Sequence, residues 1–310
     1  MEEIFNSNIA RIQEFCEGEG IDGFDESFAQ VIAIAQTSLM ESTMKLVRYN
    51  QGHPINDEGD VIILIFGIIS DYLDFDPTMM QIWNKMLAAL SSTPTRDDVH
   101  INLSLVRVSL EPGDTAFVSL LDAFKTLHRP RLFVTSNDGG TEFAIAALKI
   151  NSTLHALTID GTAAEPPFKS EKCALNLVEV VVDHPSLNII DIQNCGIDDI
   201  TVTSAFIPVL RHIKHVRLDV NRIVGSHGAT LIADCLATNP FVKGLSLAHN
   251  ALTDSDALKL AMSLKTNTTL RSLELIGNDF TAVGYQSLFD AVRGSGTLNS
   301  IHDANHVLFH

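Results

Sequence analysis

One pattern occurs twice between Val242 and Phe280, and it limits what this chain can become. In VKGLSLAHNALTDSDALKLAMSLKTNTTLRSLELIGNDF, the residues Val242, Leu245, Leu247, Asn250 and Leu252 recur as Leu270, Leu273, Leu275, Asn278 and Phe280, a shift of 28. Each copy has a short alternating apolar run that ends on an asparagine. A segment with apolar residues at helical spacing follows. A fixed period of this length means stacked units, each too small to bury its own apolar face.

Composition fits such an array. Hydrophobic residues make up 45% of the 310 and aromatics only 6%, so the expected core is aliphatic. Acids outnumber bases 38 to 21, a net −17 that argues against nucleic-acid or anionic-membrane partners. The start, MEEIFNSN, lacks the basic and apolar regions of a secretory signal. The apolar run from Val61 to Ile69 is too short to span a bilayer. Cys16, Cys173, Cys195 and Cys235 are widely spaced without a C-x-x-C pair, as in a reduced, cytoplasmic protein.

Taken in order, residues 2–17 place Ile4, Phe5, Ile9, Ile12 and Phe15 on one helical stripe, suited to capping the first unit's apolar edge. A second helix is expected from Asp25 to about Ser38. Met44, Leu46 and Tyr49 then alternate as a strand would, with Asn50 behind them. The apolar run 61–70 reads as that unit's helix. Tyr72 to Asp76 alternates like another short strand, and projecting the period back puts a missing strand near residue 78. Pro77, tolerated in a first helical turn, opens a helix through Trp83, Met86 and Leu90.

Beyond residue 98 the register is legible. The asparagine position is occupied by Val108, Asn137, Thr162, Cys195, Asn221, Asn250, Asn278 and His306, at intervals of 29, 25, 33, 26, 29, 28 and 28. A buried amide there can bond backbone groups that strand pairing leaves free. Cys195 and Thr162 are smaller substitutes. The expected organisation is one domain over 1–310: a helical cap and first degenerate unit over 1–40, degenerate units over 41–98, and readable units with a C-terminal cap over 99–310.

The units VKGLSLAHNALTDSDALKLAMSLKTNTT and LRSLELIGNDFTAVGYQSLFDAVRGSGT resemble the ribonuclease-inhibitor-like class of leucine-rich repeats. That class includes the Ran GTPase-activating protein and the tropomodulin C-terminal domain. The resemblance implies an α/β solenoid, a horseshoe with parallel strands on the concave face and helices on the convex face. It implies protein binding in general and carries over no catalytic residue.

The concave strand face is the first candidate site. Its expected outward residues are Arg107, Arg131, His155, Asp160, Asp191, Gln193, Lys214, Arg217, Asp219, Lys243, His249, Arg271 and Glu274. Six of these are basic and four acidic, against nearly two acids per base in the whole chain. Such a face would draw in a partner with an acidic surface. The second candidate is the loop AAEPPFKSEK, which lengthens its unit to 33 residues and carries an aromatic, Phe168, read as exposed.

No metal site is expected. His302, His306 and His310 are four apart, but the register puts a strand and turn there rather than a helix. No nucleotide-binding or nucleophile motif occurs, so neither a cofactor nor a catalytic residue is expected. The expected function is a non-catalytic, monomeric interaction scaffold. Two alternatives follow from the resemblance: a regulator of a small GTPase, or an actin-associated capping protein. The GTPase reading needs an arginine at the nucleotide, and Arg107, Arg131 and Arg222 are near strands or loops.

Overall fold

A computed structural model describes residues 26–53, 61–67, 77–94, 100–106, 112–135, 139–161, 167–168, 171–197, 200–221, 223, 225–295, 300–303 and 306–309. The expected cap helix over 2–17, the Tyr72–Asp76 strand, and Arg107, Val108, Asn137, Thr162 and Arg222 lie outside the described residues. The chain divides into two compact units, Met1–Leu154 and His155–His310.

In the first unit, helix α1 runs Glu26–Asn50, followed by β1 (Val61–Gly67), α2 (Pro77–Ser91) and β2 (His100–Val106). The unit continues through α3 (Thr115–Lys125), β3 (Arg131–Thr135) and α4 (Gly140–Ile150). The three strands are parallel, with Val61 opposite His100 and Asn102 opposite Arg131. Two expectations fail here. The segment read as a strand at 44–50 is the end of α1, because Leu39, Thr43, Leu46 and Tyr49 are buried at three- and four-residue spacing. The apolar run read as a helix is β1, a seven-residue strand rich in β-branched residues. Residue 78 therefore lies in a helix, and Pro77 opens it as expected. Phe143 ties α4 to α3, with edge-to-face contacts to Phe117 at 5.4 Å and Phe124 at 6.2 Å.

The second unit alternates strand and helix as far as its last strand pair. Its elements are β4 (Ala156–Asp160), α5 (Glu171–Val182), β5 (Ile189–Gln193), α6 (Ile200–His212), β6 (His215–Arg217) and α7 (Gly225–Ala237). They continue with β7 (Gly244–Ser246), α8 (Asp254–Leu264), β8 (Ser272–Glu274), α9 (Ala282–Ser295), β9 (Ser300–Asp303) and β10 (His306–Phe309). Strands β4 to β9 are parallel, and β10 turns back antiparallel on β9. Helices α5 to α9 pack side by side as the second layer. Leu245, Leu247 and Leu252 are buried between the layers, as are Leu273 and Leu275 one period later. His302 and His306 fall on neighbouring antiparallel strands rather than on one helix.

The asparagine position works as expected and links successive repeats of the second unit. Asn221 donates from Nδ2 to the Ile192 and Asp219 carbonyls, at 2.7 and 3.0 Å. Its Oδ1 accepts from the Cys195 N–H at 2.8 Å. Asn250 and Asn278 do the same one and two repeats later. Cys195 keeps the donor half, its thiol reaching the Gln193 carbonyl at 3.0 Å and the Ile159 carbonyl at 3.5 Å. Each of these four residues follows one in the left-handed region: Asn194, Val220, His249 and Gly277, at φ from 52° to 71°.

A second polar ladder, unforeseen, serves the turns from helix back to strand. Asn267 donates to the Leu236 carbonyl at 2.6 Å and accepts from the Thr269 and Leu270 N–H groups. In the first unit Asn151 donates to the Phe124 and Leu127 carbonyls and accepts from Thr153. His184 accepts the Ser186 and Leu187 N–H groups through Nδ1. The sequence signal was present in Asn151-Ser-Thr-Leu, His184-Pro-Ser-Leu and Asn267-Thr-Thr-Leu.

Candidate functional site

On the open side of the second unit's sheet, strand pairing aligns Thr158, Asp191, Arg217, Ser246 and Glu274 in one row. Alternation turns their neighbours Leu157, Ile190, Val216, Leu245 and Leu273 into the core, where all are buried. The row is thus held by the packing beneath it.

Arg217 is the row's centre. Its side chain is 47% exposed and reaches Asp219 Oδ2 from both Nε and Nη2, at 3.1 and 2.8 Å. Partial burial works against the guanidinium charge, but Asp219, Asp191 and Glu274 outweigh it and hold the charge more firmly than usual. Asp219 does not face a partner. It is buried, and its Oδ1 accepts from Ser246 Oγ at 2.5 Å and the Ala248 N–H at 2.9 Å. The expectation that Asp219 lies outward is corrected: it orients Arg217 and ties β6 to β7.

Asp191 is mostly buried, with Oδ2 taking a hydrogen bond from Gln193 Nε2 at 2.9 Å and Arg217 Nε 3.9 Å away. Its Oδ1 is buried without a hydrogen-bond partner among the described residues. Burial pushes its carboxyl above the ordinary value, only partly offset by Gln193 and Arg217. Burial raises the Asp160 carboxyl too.

Beside Arg217 the sheet surface sinks into a hollow of about 290 Å³. It is lined by His215, Arg217, Gly244, Ser246, Ser272 and Glu274, with Val216 and Leu245 beneath. Small residues make it. A Cβ on Gly244 would come within 2.7 Å of His215 Nδ1 and 3.1 Å of Ser272 Oγ. Burial, reinforced by Lys214, keeps His215 more readily neutral than a free histidine.

Along the edge where these strands begin, the backbone pairs Lys214 with Lys243 and Lys243 with Arg271. Lys214 and Arg271 are exposed and Lys243 half-buried. His155 stands earlier on that edge, 3.5 Å from Asn188 Nδ2. At the opposite edge His249 is exposed and its ring lies over Gly277, where any Cβ would run into the imidazole. Arg131 is on β3 in the first unit, opposite Asn102 of β2.

The expected loop contact is also corrected. Phe168 is 1% exposed and packs edge-to-face on Phe206 at 5.2 Å, with its N–H bonded to the Cys195 carbonyl. The aromatic anchors the long insertion to α6. Among the described residues no group of three or more His, Cys, Asp or Glu side chains could hold a metal ion, and no helix is long and apolar enough to cross a membrane.

The family model for the leucine-rich repeat matches residues 238–261 and 266–289. These two segments are leucine-rich repeats. They run from just after α7 into α8 and from just before β8 into α9, so they include two of the three cations and most of the hollow. In each unit parallel strands of an open sheet alternate with helices, an α/β arrangement consistent with a leucine-rich repeat solenoid. The chain is also similar to a crystal structure of a protein from Bacteroides fragilis, at 12% identity and a TM-score of 0.42, covering 67% of this chain and 66% of that one.

Proposed function

We propose that the second unit is a non-catalytic interaction scaffold that holds a protein partner on its open strand face. Leucine-rich repeats commonly mediate protein–protein interaction, and the single observation supporting the reading here is the hollow. It is a recess in an otherwise continuous sheet, with Arg217 on one wall and Glu274 on the other. Its wall is preorganised, since Arg217 is already fixed by Asp219 before anything binds. Outward residues carry recognition while inward leucines carry stability, so the face can specialise at little structural cost.

The test is affinity capture of partners with the intact chain and with Ser272→Trp/Glu274→Lys. Both positions are half-buried on the open face, so stability should change by only about 0.5 kcal/mol. The expected result is loss of the captured protein from the variant with an unchanged melting curve. Full retention would exclude this face.

A further inference from the structure

Resting on the strand-face reading, we infer that the partner element is an acidic α-helix laid across the leading edge of β6, β7 and β8. Lys214, Lys243 and Arg271 occupy equivalent positions there and follow one another through the backbone bonds Lys243 N to Lys214 O and Arg271 N to Lys243 O. Among the described residues no carboxylate lies in ion-pair range of Lys214 or Lys243. These cations stand out on a chain of net −17. Phe241, 51% exposed, sits beside them with Lys243 Nζ 6.0 Å from its ring centre. An exposed aromatic next to desolvatable cations has the makeup of a binding anchor.

Spacing selects the shape of the partner. Cations on successive strands repeat at about 4.8 Å. Carboxylates three or four residues apart on a helix face are about 5–6 Å apart, close to that repeat. Same-side residues of an extended chain are about 6.6 Å apart and fall out of step within three contacts. A helix carrying acids at i, i+4 and i+7 can therefore meet all three cations and place an apolar residue on Phe241.

The experiment uses the full chain and three fluorescent peptides. One is a side-chain-stapled helix with Glu at i, i+4 and i+7 and a leucine beside them. The second has the same composition made extended by interspersed prolines, and the third is the stapled helix with Lys in place of Glu. Anisotropy titrations should show the acidic helix binding at least tenfold tighter than either control. Lys214→Ser/Lys243→Ser/Arg271→Ser and, separately, Phe241→Ala should each weaken it at least fivefold with unchanged circular dichroism. Equal binding of the extended peptide, or binding untouched by the serine substitutions, overturns the inference. So does absence of binding by the acidic helix. If the natural partner is still lost on blocking the hollow, the scaffold reading stands without the helix; if it is not, both fail.

Discussion

The side-chain oxygen of Asn250 bonds the backbone N–H of Asn221 at 3.1 Å, across one whole repeat. The same oxygen takes the Ile223 N–H at 3.1 Å, and its Nδ2 serves the Leu218 and Ala248 carbonyls. Asn250→Ala strands these buried groups together. A loss of about 3 kcal/mol is expected, since each unmet buried group costs roughly 1–3 kcal/mol and relaxation recovers some of it. Asn250→Asp keeps the acceptor and loses the donors, and should fall between. Urea melts of the three proteins check the order.

Val220 should be improvable. It is a β-branched residue at φ 58°, 42% exposed, in a position filled by glycine at 277 two repeats later. Left-handed backbone costs a non-glycine residue about 1–2 kcal/mol, and glycine returns roughly 0.5–1 kcal/mol of that as extra freedom when unfolded. Val220→Gly is expected to raise stability by up to about 1 kcal/mol. A lower midpoint in denaturant would mean that the valine side chain contributes more than its exposure suggests.

Asp191 should make the fold's pH response unusual. Its folded carboxyl binds a proton more readily than the free group at 3.8, so its contribution favours folding below that value. The contribution fades as pH rises through the folded value. Asp191→Asn cannot lose a proton, and its Oδ1 can still accept from Gln193. Compared with the parent chain, the variant should be relatively more stable at neutral pH and relatively less so in acid. Paired urea titrations from pH 4 to 8 measure that difference, and parallel curves would show that the carboxyl is not perturbed.

Thiol reactivity should separate three cysteines. Cys173 is exposed on α5, whereas Cys195 and Cys235 are buried and burial pushes both thiols up. Brief alkylation of native protein at pH 8 should label Cys173 and spare Cys195 and Cys235 until denaturant is added. Peptide mass mapping reads this directly. Early labelling of Cys195 would mean that the turn it closes opens readily.

How much was legible depended on whether a side chain's partner lay within the period. The strands from β6 to β8 and their asparagines follow from spacing alone, because Leu245, Leu247 and Asn250 meet their own copies. Val61–Gly67 carries no periodicity, so nothing local distinguished a strand from a helix. Met44, Leu46 and Tyr49 were read as a strand but lie on a helix, where Leu46 and Tyr49 are buried with Leu39 and Thr43 at helical spacing and Met44 is exposed. At the site, Arg217 and Glu274 were readable as outward residues. Asp219 was not, because the groups that bury it, Ser246 and the Ala248 N–H, lie 27 and 29 residues on. Phe168 misled for a similar reason: prolines and charges surround it in sequence, but Phe206 covers it in space.

The asparagine ladder also has a direction. Asn278 finishes the turn at Asn250, Asn250 the turn at Asn221, and Asn221 the turn at Cys195, always from the later residue to the earlier. A ribosome releases the chain in the opposite sense. Each turn leaves the exit tunnel with its amides unmet and waits some 28 residues for the side chain that completes it. At any moment of synthesis the newest repeat is the unfinished one, and the older ones are sealed behind it.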